Sequence, residues 1–190
     1  MSDDARLIHR LQSGDLEALG LLYDRHRLAV YRTTLAITRD QDAAEDILQD
    51  VFLRLHRYVD RVNASLPLEP WLYRVTVNLS YTWVTRRDKW RVPLENLVDQ
   101  LIGPAKYNPE PMAERNDDLR RMQRAIEALA FSQRVVIVLY YLNDLSLREI
   151  ADILGCPVGT VKSRLHYGRE NLRRQLESGA QMPEVQYEFT

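Results

Sequence analysis

Apolar residues return every three or four positions along most of the chain, and nowhere do they alternate strictly as a half-buried strand would, so the sequence predicts an all-α protein. Leu7, Ile8 and Leu11 mark a short first helix that stops at Ser13-Gly14. Asp15 is placed to cap a second, which runs through Leu19, Leu22, Tyr23, Val30 and Ile37. A third carries Ala44, Ile47, Leu48, Val51, Phe52 and Leu55 as a nearly unbroken stripe, and its opposite face is acidic. Asn63, Ser65, Pro67 and Pro70 break the pattern into a loop over 61–70. A fourth long helix is predicted from about Trp71 to Arg87, with Leu72, Val75, Leu79 and Trp83 as its buried stripe. From 91 to 115 the pattern lapses. Pro93, Gly103, Pro104, Asn108, Pro109 and Pro111 rule out a continuous helix there and predict an extended linker. Helical spacing resumes near Asn116 and ends near Ser178, and 179–190 reads as a flexible tail. The expected architecture is two small helical domains, 1–90 and 116–178, joined by the linker.

The second domain ends in a local pattern of its own. Ser146 with Glu149 three residues on has the spacing of a capping box, in which each side chain satisfies a free backbone N–H at a helix start. Ile150, Ile153 and Leu154 supply an apolar face, Gly155 can take the left-handed backbone that ends a helix, and Pro157 blocks continuation. A further helix follows in which Val161, Leu165, Gly168 and Leu172 face inward. Lys162, Ser163, His166 and Arg169 then turn outward or to the flanks. Helix, tight turn and second helix make a helix-turn-helix, and the second helix is basic. Over 157–176, Lys162, Arg164, Arg169, Arg173 and Arg174 against the single Glu170 leave +4. Such a helix suits the major groove of DNA.

The whole chain is nearly neutral, with a formal charge of -1 over 190 residues, so nucleic-acid binding must rest on local segregation of charge. That segregation is present. Between 71 and 91, Arg74, Arg86, Arg87, Lys89 and Arg91 against Asp88 give +4. Between 92 and 118, Lys106 and Arg115 against Glu95, Asp99, Glu110, Glu114, Asp117 and Asp118 give -4. Cys156 is the single cysteine, which excludes an intrachain disulfide and disfavours a thiolate zinc site. His9, His26, His56 and His166 are scattered over different helices, and no phosphate-cradling glycine loop or nucleophile motif is present, so neither metal, cofactor nor catalysis is expected. No stretch approaches the roughly 18 to 20 apolar residues that span a bilayer, and the expectation is a cytoplasmic protein without membrane insertion.

Three stretches narrow the reading further. Ala44-Glu45-Asp46-Ile47-Leu48-Gln49-Asp50-Val51-Phe52-Leu53-Arg54-Leu55, Pro70-Trp71-Leu72-Tyr73-Arg74-Val75-Thr76-Val77-Asn78-Leu79 and Gly159-Thr160-Val161-Lys162-Ser163-Arg164-Leu165 resemble, in order and spacing, the signature segments of the extracytoplasmic-function (ECF, group 4) sigma factors of the bacterial sigma-70 family. The resemblance covers about 5–177. It implies a sigma-2-like helical bundle up to residue 90, which holds core RNA polymerase and opens the minus-10 element. It also implies a sigma-4-like helix-turn-helix domain that reads the minus-35 element, and a non-catalytic initiation subunit as the whole.

The resemblance also assigns residues. Asp46, Gln49 and Asp50 share one helix face opposite the Ile47, Leu48 and Val51 stripe, and match the contact with the beta-prime clamp helices of the polymerase. Tyr73 and Asn78 match positions of the pocket that takes an extruded minus-10 base, with Arg74, Arg86 and Arg87 beside the phosphates. Trp71 and Trp83 are read as core. Thr160, Lys162, Ser163, Arg164, His166, Tyr167 and Arg169 match the recognition helix, with Lys162, Ser163 and His166 nearer base edges and Arg164, Arg169 and Arg173 nearer the backbone. The implied partners are core RNA polymerase through its clamp helices and beta flap, promoter DNA, and an anti-sigma factor. The acidic linker is expected to thread the polymerase cleft, with a plain tether as the alternative. Three departures stand out: the 61–70 loop lacks the family's usual Phe and Gly, Tyr167 stands where a basic residue is common, and Ala130-Phe131-Ser132 replaces a Leu-Pro pair. Read without the first motif, the helix-turn-helix would equally suit an autonomous repressor or activator.

Overall fold

The computed structural model describes residues 3–90, 121–122, 124–126 and 128–178, of which the side chains of 87–90 and 178 are excluded. Among the described residues every regular element is a helix. The expected 91–115 linker and the 179–190 tail lie outside them.

Four helices come first: α1 (Asp3–Gln12), α2 (Leu16–Thr38), α3 (Gln41–Tyr58) and α4 (Glu69–Trp90). Asp15 caps α2 as expected, its carboxylate accepting the Glu17 N–H at 3.0 Å. Arg39, at φ 61°, closes the same helix in the left-handed conformation, an uncommon backbone for a non-glycine residue. The turn to α3 is only Arg39 and Asp40, and the Asp40 carboxylate accepts the Ala43 N–H at 3.0 Å. So short a turn lays α2 and α3 side by side in antiparallel fashion. The α3 stripe is then buried as its spacing requires, with Ala44, Ile47, Leu48, Val51, Phe52 and Leu55 all in the core with Leu7, Ile8, Leu11, Leu22 and Leu72. A single 3-10 turn (Val59–Arg61) follows α3. Helix α4 starts two residues earlier than its spacing suggested and ends three later. Pro70 lies in its first turn, where its missing N–H would be unpaired in any case.

After helical residues 121–122 and 124–126 come α5 (Phe131–Tyr141), α6 (Leu147–Leu154) and α7 (Val158–Ser178). The capping box at Ser146 and Glu149 is complete. Glu149 Oε2 accepts the Ser146 N–H at 2.8 Å, Ser146 Oγ accepts the Glu149 N–H at 3.3 Å, and these bonds hold the Glu149 carboxyl below its ordinary pKa. Gly155 ends α6 at φ 61°, and Val161, Leu165 and Gly168 of α7 are buried with Leu172 packed beside them. Gly168 permits a close approach. A Cβ there would stand 3.0 Å from Cγ1 of Ile137, so the α7 backbone lies directly on the Ile137 side chain of α5 at that point. Ala130 opens α5 without a side-chain cap.

One feature of α4 departs from the sequence reading. Its predicted stripe of Leu72, Val75, Leu79 and Trp83 packs on the N-terminal core, and so does Trp71. A second stripe, Tyr73, Val77 and Ser80, is also buried. Tyr73 and Val77, together with Ile37 of α2, belong to the apolar cluster built from Leu129, Val135, Val136, Leu139, Ile150 and Val161. The C-terminal helices therefore pack directly on α2 and α4.

Gly168→Val is expected to cost about 1–3 kcal/mol through overpacking of Ile137, measured as a fall in the urea midpoint of unfolding with unchanged slope.

Candidate polymerase and nucleic-acid interfaces

The first candidate surface is the outer face of α3. Packing of Ile47, Leu48 and Val51 inward leaves Asp46, Gln49 and Asp50 exposed together, with Asp42 and Glu45 on the same side. The spacing in the sequence already placed these carboxylates on one face. It did not reveal that Gln49 borders an open, almost wholly apolar groove of about 350 Å³, lined also by Leu19, Gly20, Tyr23, Phe52 and Leu53. Leu53 is 60% exposed. A leucine four residues after Gln49, on an otherwise polar face, was the signal for it. Acidic groups beside exposed apolar surface can dock a partner that presents basic residues and a hydrophobic edge.

The second is α4. Asn78 and Arg86 are exposed, as a DNA-facing role requires, whereas the Arg87 side chain lies outside the described residues. Tyr73 and Arg74 are arranged differently from the expectation of an open pocket. The Tyr73 phenol is buried and hydrogen-bonds the Asn143 side chain; burial pushes it above its ordinary pKa of 10.0, the Asn143 bond opposes that rise, and nearby Glu69 adds to it. The Arg74 guanidinium donates to the main-chain carbonyl of Asp152, one of the α6 carbonyls left without a helical partner. Tyr81, exposed, sets its ring edge-on to Phe131 at 5.5 Å.

The third is α7. Lys162, Ser163, His166, Tyr167 and Arg169 are exposed, and Thr160 and Arg164 are half-buried. Ser163 Oγ donates to the Gly159 carbonyl at 3.0 Å, and the His166 and Tyr167 rings meet edge-on at 5.4 Å. Arg169 leans away from these, its guanidinium 5.3 and 5.4 Å from the ring centres of Tyr140 and Tyr141. Toward the end of the helix Arg173 and Arg174 pair with Glu177 and Glu170. Lys162, Ser163 and His166 are thus exposed and clear of the Arg169 contacts. Cys156 is half-buried against the same core.

Folding also creates a grouping that linear spacing hides. Ligand atoms of Asp4, His26 and Glu69 lie within 4.8 Å of one another, close enough to share a cation. His26 Nε2 is 2.8 Å from Asp4 Oδ2, and Arg25 also pairs with Asp4. With a guanidinium already on the carboxylate, the cluster ties α1 to α2 and leaves little negative charge to attract a metal ion.

A match to known proteins decides among the functions such surfaces could serve. The family model described as Sigma-70 region 2 matches residues 22–90, and that described as Sigma-70, region 4 matches 119–172. The chain is 33% identical over 177 residues to the ECF RNA polymerase sigma factor SigW of Bacillus subtilis, covering 89% of this chain and 94% of that protein. It is 32% identical over 184 residues to the ECF RNA polymerase sigma-E factor of Escherichia coli K12, covering 92% and 94%. The chain belongs to the ECF RNA polymerase sigma factors. It is thus a non-catalytic subunit for promoter-specific transcription initiation. The fold agrees. The structure of CnrH in complex with the cytosolic domain of CnrY matches with a TM-score of 0.68 at 24% identity, over 93% of this chain and 99% of that one. The sigma factor RpoE in complex with the anti-sigma factor NepR, from Bartonella quintana, matches at 0.66 and 24% identity, over 83% and 96%. No helix among the described residues is long and apolar enough to cross a membrane.

The raised pKa of Tyr73 means that its packing contributes fully below the unfolded value near 10 and is lost as pH rises through the folded value. Wild type is expected to lose thermal stability above about pH 10 more steeply than Tyr73→Phe, measured as melting temperature against pH.

Proposed function

We propose that this ECF sigma factor divides its work among three helices. The Asp46, Gln49 and Asp50 face of α3 binds the beta-prime clamp helices of core RNA polymerase. Helix α4 and the loop before it engage the minus-10 element through Tyr73, Arg74, Asn78, Arg86 and Arg87. Helix α7 enters the minus-35 major groove with Thr160, Lys162, Ser163, Arg164, His166, Tyr167 and Arg169, of which Lys162, Ser163 and His166 approach base edges and the rest steady the backbone. The boundaries are those of a sigma-2-like domain to residue 90, an acidic linker over 91–115, a sigma-4-like domain over 116–178, which also meets the beta flap, and a tail over 179–190. The protein works in the cytoplasm, where an anti-sigma factor restrains it, as the complexes of RpoE with NepR and of CnrH with CnrY suggest by analogy.

The observation that carries this reading is the joint exposure of an acidic face on α3 and a basic face on α7 in a chain of this family. Run-off transcription from a genomic fragment library, with core polymerase alone as the control, tests it. Discrete transcripts that depend on the protein are expected, and their start sites yield both promoter elements.

Two substitutions separate the surfaces. Asp46→Arg combined with Asp50→Arg is expected to abolish binding to core polymerase in a pull-down while the melting temperature is unchanged, because both side chains are exposed. Retained binding would reject the α3 assignment. Lys162→Ala is expected to weaken minus-35 binding by about 1–3 kcal/mol if it reads a base, with relaxed preference at one position, or uniformly with a shallower salt dependence if it holds a phosphate. A gel-shift titration over a promoter-variant set distinguishes the two.

A further inference from the structure

We propose that Gln12 of α1 is a positioning residue for minus-10 recognition: through its side-chain amide it sets the shape in which the 62–68 loop meets the extruded base. The inference rests on the assignment of that loop, with α4, to the minus-10 element.

The loop runs from the end of the 3-10 turn to the start of α4. Val62, Ala64 and Leu68 are buried in the N-terminal core, whereas Asn63, Ser65, Leu66 and Pro67 are exposed. Its tip is shaped locally. Asn63 Oδ1 accepts the Ser65 N–H at 2.9 Å, and the Asn63 carbonyl accepts the Leu66 N–H at 3.1 Å. Bonds of that kind fix the curvature of the tip but not its angle to the rest of the protein. Packing beneath the tip does not fix that angle either. An open cavity of about 530 Å³ lies there, lined by Asp4 and Ala5 of α1 and by Ala64, Ser65, Leu66 and Pro67.

Gln12 supplies a restraint on the angle. A turn that follows a helix leaves carbonyls without a helical partner. Val59 opens the 3-10 turn and Val62 follows it, and Gln12 Nε2 donates to both of their carbonyls, at 3.0 and 3.1 Å. An amide nitrogen has two hydrogens, one for each acceptor. The amide is itself oriented, because its oxygen can only accept and His9 Nδ1, one turn earlier on α1, lies 3.1 Å from it. Helix α1 is in turn seated on the core by Leu7, Ile8 and Leu11, so the donor stands on a rigid support. At the other end of the loop, Glu69 lies beside the Asp4 and His26 pair. Without Gln12 the entry to the loop is free to pivot while the exit stays held, and the apolar anchors keep the loop attached. A base that leaves the stack is selected by how well the protein's groups fit it. A tilt of the tip therefore changes the ratio between bases more than it changes binding as a whole.

Holoenzyme reconstituted from core RNA polymerase and the full chain tests this on one promoter found by run-off transcription. The promoter is randomised at each minus-10 and minus-35 position and its transcripts are counted by sequencing. Gln12→Met keeps the length of the side chain and loses its donors. Gln12→Lys keeps donors, and its added charge raises all promoters alike without moving a ratio; a purely structural loss likewise lowers all transcripts together. In Gln12→Met the ratio of preferred to non-preferred base at one minus-10 position is expected to change at least fivefold, with minus-35 ratios unchanged and Gln12→Lys within twofold of wild type. Gln12→Ala takes the place of Gln12→Met should that variant fail to fold by circular dichroism. Leu66→Ala, at the exposed tip, reports whether the loop reads the base at all. If Leu66→Ala moves a minus-10 ratio and Gln12→Met does not, the positioning role is overturned and the loop assignment stands. If Leu66→Ala moves none, the assignment itself fails and the proposal with it. Equal shifts in Gln12→Met and Gln12→Lys would overturn the hydrogen bonds as the cause.

Discussion

A buried cation, Arg134, ties the C-terminal helices to α2. Arg134 comes from α5, is almost fully enclosed, and donates through both terminal nitrogens, to the Ile37 carbonyl of α2 and to the Leu129 carbonyl, each at 2.8 Å. Taking a guanidinium out of water is unfavourable unless its donors are met, and removing such a group leaves acceptors stranded. Its position therefore constrains how α5 can sit on α2, and with α5 the whole helix-turn-helix. The charge stands immediately before the apolar run Val135 to Leu139, and an arginine is seldom so fully buried unless its donors are met.

Around that tie α3, α6 and α7 are positioned by ordinary means. The two-residue turn at Arg39 and Asp40 sets α3 beside α2, so the acidic face can point only outward. The capping box and the left-handed Gly155 fix where α6 begins and ends, and Gly168 lets α7 press on α5. None of these devices is catalytic, and none needs to be. A sigma factor acts by presenting surfaces, so rigid helices with well-made ends serve it better than a pocket would.

Helix α4 buries two faces. A helix with one apolar face needs one partner, and the Leu72, Val75, Leu79 and Trp83 stripe finds it in the N-terminal core. Tyr73, Val77 and Ser80 form a second stripe whose mixture of phenol, valine and hydroxyl suits either a nucleic-acid base or a protein neighbour. In the free chain the neighbour is the C-terminal bundle. Fully burying a valine or isoleucine side chain contributes about 1.5–3 kcal/mol. Ile37 and Val77, with the buried Tyr73 and the hydrogen bonds around them, hold the two halves of the chain together.

Residue order alone determined a good deal. Periods of three to four apolar residues, Asp15 and Ser146 before helical runs, and Gly155 after one specify local structure through contacts within a few positions, so the helices, the capping box and the outward-facing sets on α3 and α7 were legible in the chain. The motifs in 44–55, 70–79 and 159–165 placed the family for a related reason, since each is a contiguous set of side chains on one helix. What the tertiary structure decided are events between residues far apart. It brought Arg134 to Ile37, Asn143 to Thr33 and Tyr73, Arg74 to Asp152, and Asp4 to His26 and Glu69. It turned Arg169 onto Tyr140 and Tyr141, and opened the groove beside Leu53. Local spacing says which side chains share a face, but which partner covers that face depends on the packing of the whole chain, where long-range contacts compete and the best-filled arrangement prevails.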